Sequence, residues 1–261
     1  MLSPSYLSHI SEGAESIAED LHAYLIRQII ERMMIRIGRG DDHLLTSSDA
    51  WRIRTLQEAG YLLEDITAEL AKYTKRQETG IREAMTEAGV KAIEADNAIY
   101  EAAGLTPTPL MQSPALMRLM EQNYTKTLNT WKNYTGTFAN ASQKIFIDEC
   151  DKAYNLVTSG AESYTQAVRM AVENVASDGV YVQYPSGRKL TIEAATSMCV
   201  RTGVAQACGD ITLARMKEMG VKLCIVSSHM GARTGSGGPD HTNHSYWQAG
   251  IYAIDGSKIN I

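Results

Sequence analysis

Chemistry in this 261-residue chain would have to come mainly from one stretch. Ser227-Ser228-His229-Met230-Gly231-Ala232-Arg233 is followed by His241, His244 and Trp247, so three of the six histidines crowd together near the C-terminal end. Neutral imidazoles and carboxylates are zinc ligands, so His229, His241 and His244 with Asp240 as a fourth donor make a candidate metal site. Asp240-His241-Thr242-Asn243-His244 also carries the residue types of a His-Asn-His nuclease. The plainer alternative is structural. His229 and Arg233 brace a loop by hydrogen bonds, and Trp247 plugs a small core. A second candidate is a basic patch of Arg188, Lys189, Arg201, Arg215, Lys217 and Lys222, which would meet DNA or an acidic partner. Its alternative is an ordinary solvated face.

Other chemistries lack their residues. There is no Gly-x-Gly-x-x-Gly after a strand, no Walker loop and no Gly-x-Ser-x-Gly elbow. Thr234-Gly235-Ser236-Gly237-Gly238 runs into Pro239 rather than a helix, which removes the helix N-terminus that cradles phosphate. Acidic neighbours such as Glu19-Asp20, Asp41-Asp42 and Glu64-Asp65 diverge on a helix and read as solvated faces. Cys150, Cys199, Cys208 and Cys224 stand far apart with no Cys-x-x-Cys pair, the pattern of buried reduced thiols. No cofactor is expected. The longest apolar runs are short and broken by charge, and the N-terminus lacks a basic-then-apolar leader, so neither a membrane span nor a secretory signal is expected.

The net charge of -5 and a pI near 5.7 exclude a basic nucleic-acid binder for the chain as a whole. The charge is uneven, however. Residues 1–178 hold 17 basic and 25 acidic side chains, whereas residues 179–261 hold 8 and 5. A boundary near 178 follows.

The elements that must position the histidine-rich stretch read as mainly α. Long helices and a helical bundle fill the first two thirds, and a small α+β part with a short hairpin and strand ends the chain. Ile10, Ala14, Ile17, Leu21, Leu25 and Ile29 form one helical stripe that ends near Gly38-Arg39-Gly40. Thr46, Ser47, Ser48 and Asp49 offer N-caps for a proline-free helix running to about Glu101. Within it, Ile53, Leu56, Gly60, Leu63, Thr67 and Leu70 approximate a coiled-coil seam, with Gly80 and Gly89 as candidate interruptions. Such a rod needs neighbouring helices or another subunit to cover its stripe.

Leu105-Thr106-Pro107-Thr108-Pro109-Leu110 is an extended linker. Ser113-Pro114 starts a helix through Trp131, a separate one is expected over Gln143–Val157, and Ser163 with Gln166 caps another to about Ser177. Val180, Val182 and Tyr184 alternate before a Pro185-Ser186-Gly187 turn, predicting a hairpin that returns through Lys189-Leu190. Thr191 caps a helix to Gly220, Val221–Val226 is a strand, and a last strand is expected at Gly250–Ile254. The division is therefore a long-helix region at 1–104, a bundle region at 105–178 and an end domain at 179–261.

Several blocks, in order along the chain, resemble the phage minor capsid protein 2 family, which is related to the Mu F-like head morphogenesis proteins. They are Pro4-Ser5-Tyr6-Leu7, Ile99–Gly104, Pro109–Pro114, Thr158–Tyr164, Tyr184–Arg188 and Arg201–Gln206. The last is Ser228–Arg233 with His244, Trp247, Gln248 and Tyr252. The resemblance makes His229, Gly231, Ala232, Arg233, His244, Trp247, Gln248 and Tyr252 motif residues and implies no catalytic ones. It implies a low-copy virion protein at or near the portal vertex inside the head, assembled in the host cytoplasm. The implied partners are the portal and other head proteins, packaged DNA, and further copies through the long helices. Two departures stand out. A loop from Thr234 to beyond Asp240 is inserted after Gly-Ala-Arg, and Ala249-Gly250 stands where members carry Gly-Lys.

Overall fold

The computed structural model describes residues 3–37, 47–226, 228, 230, 232–235 and 243–253. Helix α1 spans Pro4–Ile37. Its buried stripe recurs every three or four residues: Ala14, Ala18, Leu21, Leu25, Ile29, Met33 and Ile37. Helix α2, Ser48–Ala102, has 55 residues and is therefore about 82 Å long. It starts where Ser47 Oγ accepts the Ala50 N–H, and neither Gly80 nor Gly89 interrupts it.

The two helices run antiparallel. Arg36 near the end of α1 donates to Thr55 Oγ1 and the Trp51 carbonyl, Arg76 of α2 reaches Asp20, and Gln77 Nε2 donates to the Ala14 carbonyl at 2.7 Å. The Arg36 guanidinium lies 3.5 Å from the Trp51 ring centroid. Burial pushes the pKa of Arg36 down, and π-stacking with two oxygen acceptors supplies what the lost water did.

The expected seam on α2 is only partly covered: Leu63 and Leu70 pack against the core at intermediate burial, but the fully buried face is a neighbouring stripe. Trp51, Thr55, Ala59, Leu62 and Ile66 are buried, whereas Ile53 is 59% and Leu56 51% exposed. At 100° per residue the two stripes lie roughly 100° apart around the helix. The buried one is decided by α1 and by Phe138, Phe146 and Cys150 of α3, which share its core cluster.

Helix α3, Pro114–Thr158, is a single 45-residue helix, so the expected break between Trp131 and Gln143 does not exist. Asn133, Thr135, Gly136 and Thr137 are weak helix formers. Burial of Thr135, Phe138, Ala139 and Ser142 overrides that weakness, and Thr135 and Thr137 return their hydroxyls to the Lys132 and Asn133 carbonyls. Gly160, at φ +71°, ends the helix, and Ala161 N–H closes back on the Leu156 carbonyl at 3.0 Å.

Helix α4, Tyr164–Asp178, packs on α1 and begins where Ser163 Oγ accepts the Gln166 N–H. Strands β1, Tyr181–Gln183, and β2, Lys189–Thr191, form the expected hairpin with Val182 opposite Leu190. Helix α5 covers Ile192–Glu218. Strand β3, Leu223–Ile225, the short helix α6, His244–Trp247, and strand β4, Ile251–Ala253, complete the described chain. Among the described residues no helix is long and apolar enough to cross a membrane.

The chain divides into two compact units that are each discontinuous in sequence. The first comprises residues 1–89 and 120–207, the second 90–119 and 208–261. The first unit holds the cluster from Leu21 to Ala195, with Trp131 buried and its Nε1 donating to Thr196 Oγ1 at 3.2 Å. In the second, Arg215 joins the proline linker to α5: its guanidinium donates to the Thr108 carbonyl and to Glu218 Oε2, and Glu218 Oε1 accepts from Ser113 Oγ at 2.7 Å.

Candidate functional site

The histidine-rich stretch is hung on a two-stranded antiparallel sheet. Cys224 of β3 faces Tyr252 of β4, and the ladder continues as Val226 N–H donates to the Gly250 carbonyl at 3.1 Å. Asn243 is buried and caps α6, its Oδ1 accepting from Tyr246 N–H at 3.1 Å and Ser245 Oγ at 2.8 Å. The Arg233 carbonyl accepts the Ser245 N–H at 3.1 Å, so Arg233 anchors the start of α6 through its backbone while the residue itself is exposed.

Trp247 is half-buried, set edge-on to Tyr246 at 5.4 Å and tilted against Tyr252 at 5.2 Å. The buried aromatic of this segment is Tyr252, 2% exposed, rather than the expected Trp247. The Tyr252 ring lies over Gly250, where an added Cβ would stand 2.5 Å from it, so no side chain fits at 250 without moving the ring. Ala249 holds φ +54°, a left-handed conformation that favours glycine. Gln248 and Ala232 are half-buried.

His244 is exposed on the first residue of α6. His229, Gly231, Asp240 and His241 lie outside the described residues. Among those described, no three His, Cys, Asp or Glu side chains converge as a metal-binding group would require.

The basic candidates are divided between the two units. Arg188, Lys189 and Arg201 belong to the first unit, and Arg215, Lys217 and Lys222 to the second. Arg188, Arg201, Lys217 and Lys222 are surface residues, whereas the Arg215 side chain is fully buried in the linker clamp and presents no charge to a partner. Lys189 sits 3.9 Å over the Tyr181 ring and 3.9 Å from Asp178.

Three of the four thiols, Cys150, Cys199 and Cys208, are buried as expected, whereas Cys224 is only partly so. Cys150, Cys199, Cys208 and Cys224 are free. Burial pushes the Cys150 thiol far up and those of Cys199 and Cys208 to about 11, so these three stay protonated and unreactive near neutral pH.

Two polar features were not visible in residue spacing. A cleft of about 650 Å³ opens between the end of α3 and α4, lined by Glu149, Lys152, Leu156, Met170 and Asn174 among others. Glu149 is buried there and accepts from Asn174 Nδ2 at 2.9 Å and from Lys152 Nζ. Elsewhere in the same unit, His22 of α1 meets Glu193 of α5 and the backbone N–H of Val180. Neither grouping could be read locally: Lys152 is one helical turn from Glu149, but Asn174 is 25 residues away, and the partners of His22 are 158 and 171 away.

Comparison with known proteins adds what these sites do not disclose. A family model described as phage minor capsid protein 2 matches residues 2–260. A protein named "Structural protein" from Lactococcus phage LL-H is 23% identical over 227 residues, covering 80% of this chain and 60% of that protein. The chain thus spans about 60% of that relative's length. No solved structure matches.

Proposed function

The chain belongs to the phage minor capsid protein 2 family, and from that premise we propose that it is a low-copy head protein of a tailed bacteriophage. In this reading it sits inside the head at the portal vertex, acts in head assembly and DNA packaging or delivery, and contacts the portal and other head proteins. The family match over nearly the whole chain carries the proposal. A body of helices up to 55 residues long suits a scaffold, in which reach and rigid contact faces matter more than a pocket. Self-association runs through α2, whose outward Ile53 and Leu56 are half or more exposed. Exposed Arg188 and Arg201 of the first unit, and Lys217 and Lys222 of the second, are the basic positions that would meet packaged DNA or an acidic neighbour.

On this reading the chain does no catalysis, takes no cofactor, and keeps His229, Gly231, Ala232, Arg233, His244, Trp247, Gln248 and Tyr252 as structural residues. The competing reading is a metal-dependent hydrolase or nuclease using His229, His241 and His244. Quantitative mass spectrometry of purified virions, with a reconstruction that imposes no symmetry, tests the placement. Few copies per virion and density beside the portal are expected, and a copy number matching the shell lattice would overturn it. Metal analysis of the full chain tests the role: stoichiometric zinc lost in His241→Ala would replace the structural reading with the enzyme.

A further inference from the structure

His22 is held at three points. Its ring is mostly buried, with 18% of the side chain exposed. Nδ1 contacts Glu193 Oε1 of α5. Nε2 lies 2.9 Å from the backbone nitrogen of Val180, the residue before β1. Gly179, at φ +67°, closes against the ring: a Cβ there would stand 2.8 Å from Nε2 and 3.1 Å from Cε1. One imidazole therefore ties α1, α5 and the root of the β1–β2 hairpin together.

These contacts dictate the protonation state. A backbone N–H can only donate, so Nε2 must present its lone pair to Val180. Burial raises the pKa of Glu193, but hydrogen bonds from His22, its own backbone N–H and Thr191 outweigh it, and the net direction is down. An ionised carboxylate can only accept, so Nδ1 must carry the proton. The ring is neutral, with its tautomer set by its two partners.

We propose that His22 is a proton-operated latch on the β1–β2 hairpin. Binding a solvent proton at Nε2 turns its acceptor into a donor that faces another donor, and the bond from Val180 is lost. The Nδ1 contact to Glu193 is kept and becomes an ion pair. Acidification thus frees the hairpin root while tightening α1 against α5. Of the titratable and charged groups on the elements touching the ring, Glu193 is bonded to it. Asp178, Tyr181, Arg188 and Lys189 are on the hairpin side, where Asp178 pairs with Lys189 and Lys189 covers Tyr181. The latch is independent of any placement in a virion.

Nitrogen-15 spectra and amide exchange of the full chain, taken between about pH 8 and about pH 5 across the usual histidine range, test it. At high pH, Nε2 should show the shift of an unprotonated ring nitrogen and Nδ1 that of a protonated one. Between those pH values, Val180 and the hairpin should lose protection about tenfold after correction for intrinsic rates, the scale of one hydrogen bond, while α1 and α5 keep or gain theirs. His22→Gln, neutral at both pH values and able to accept from Val180, should abolish the pH dependence. If Nδ1 is the unprotonated nitrogen at high pH, the latch is overturned. Hairpin protection that does not change through the titration overturns it as well, and so does a pH response that persists in a folded His22→Gln.

Discussion

The two tryptophans of the helical body, Trp51 and Trp131, and the aromatic set of the end segment show how differently two regions of one chain fix large rings. Trp51 is stacked on Tyr154 at 4.7 Å, covered by Arg36, and donates its Nε1 proton to Asp151 at 3.1 Å. Trp131 is as deeply buried and is bonded to Thr196. In the end segment Trp247 is half-buried, and the buried Tyr252 hydroxyl has no hydrogen-bond partner among the described residues. Helices satisfy their backbone groups internally and can spend side chains on rings, whereas two strands of three residues have little interior to offer. The helical body is built around its aromatics; the end segment uses them as covers.

The largest effect that could break this contrast is on Trp131. Trp131→Ala should cost about 3–5 kcal/mol in denaturant unfolding, because the ring is fully enclosed and its loss strands Thr196. Trp247→Ala should cost about 1–2 kcal/mol, since that ring is only half-buried. Equal losses would show that the end segment is packed as tightly as the body.

Next comes Arg215→Ala, which removes the clamp on the Thr108 carbonyl and leaves Glu218 with Ser113 alone. A loss of about 2 kcal/mol is expected, moderated by the partial exposure of Glu218. Replacement without loss would mean that the proline linker holds itself.

A smaller effect of opposite sign belongs to Ala249. Ala249→Gly should stabilise by about 1 kcal/mol, because glycine adopts φ +54° without the Cβ penalty. A melt that falls instead would show that the Ala249 methyl contributes packing that outweighs its strain.

The smallest expected effect is on pH dependence in the helical body. Glu193 has its pKa lowered in the fold, so the stability it contributes is present above the unfolded carboxylate value and is lost as pH falls through the folded one. Glu193→Gln should flatten that acid limb of the stability curve while leaving neutral stability somewhat lower. An unchanged limb would place the acid sensitivity elsewhere.

Element ends were largely legible in the sequence. Ser163 caps α4, Gly160 and Gly220 hold left-handed conformations just past α3 and α5, and Gly187 turns the hairpin at φ +83°. Each depends on one residue's φ or one side chain reaching three residues along, so nothing distant can alter it. The order of family blocks was legible for a similar reason, being a property of the chain rather than of its packing.

Tertiary structure decided which faces are used. Ile53, Leu56, Gly60, Leu63, Thr67 and Leu70 keep a heptad spacing, yet the fully buried stripe is the neighbouring one of Trp51, Ala59, Leu62 and Ile66, with Arg36 stacked on Trp51 and only Leu63 and Leu70 of the seam packed against the core. Continuous burial carried α3 through a threonine- and glycine-rich stretch that local propensity would have broken. Arg215, basic in any sequence count, went inside because the distant Thr108 carbonyl and the carboxylate of Glu218, one turn along its own helix, accept from its two terminal nitrogens. His22 sits on an unremarkable turn of α1 and acquires a fixed proton only from Val180, 158 residues away, and Glu193, 171 away. Short-range geometry is written in neighbouring residues; the partner that a buried charge or imidazole finds exists only once the helices have come together.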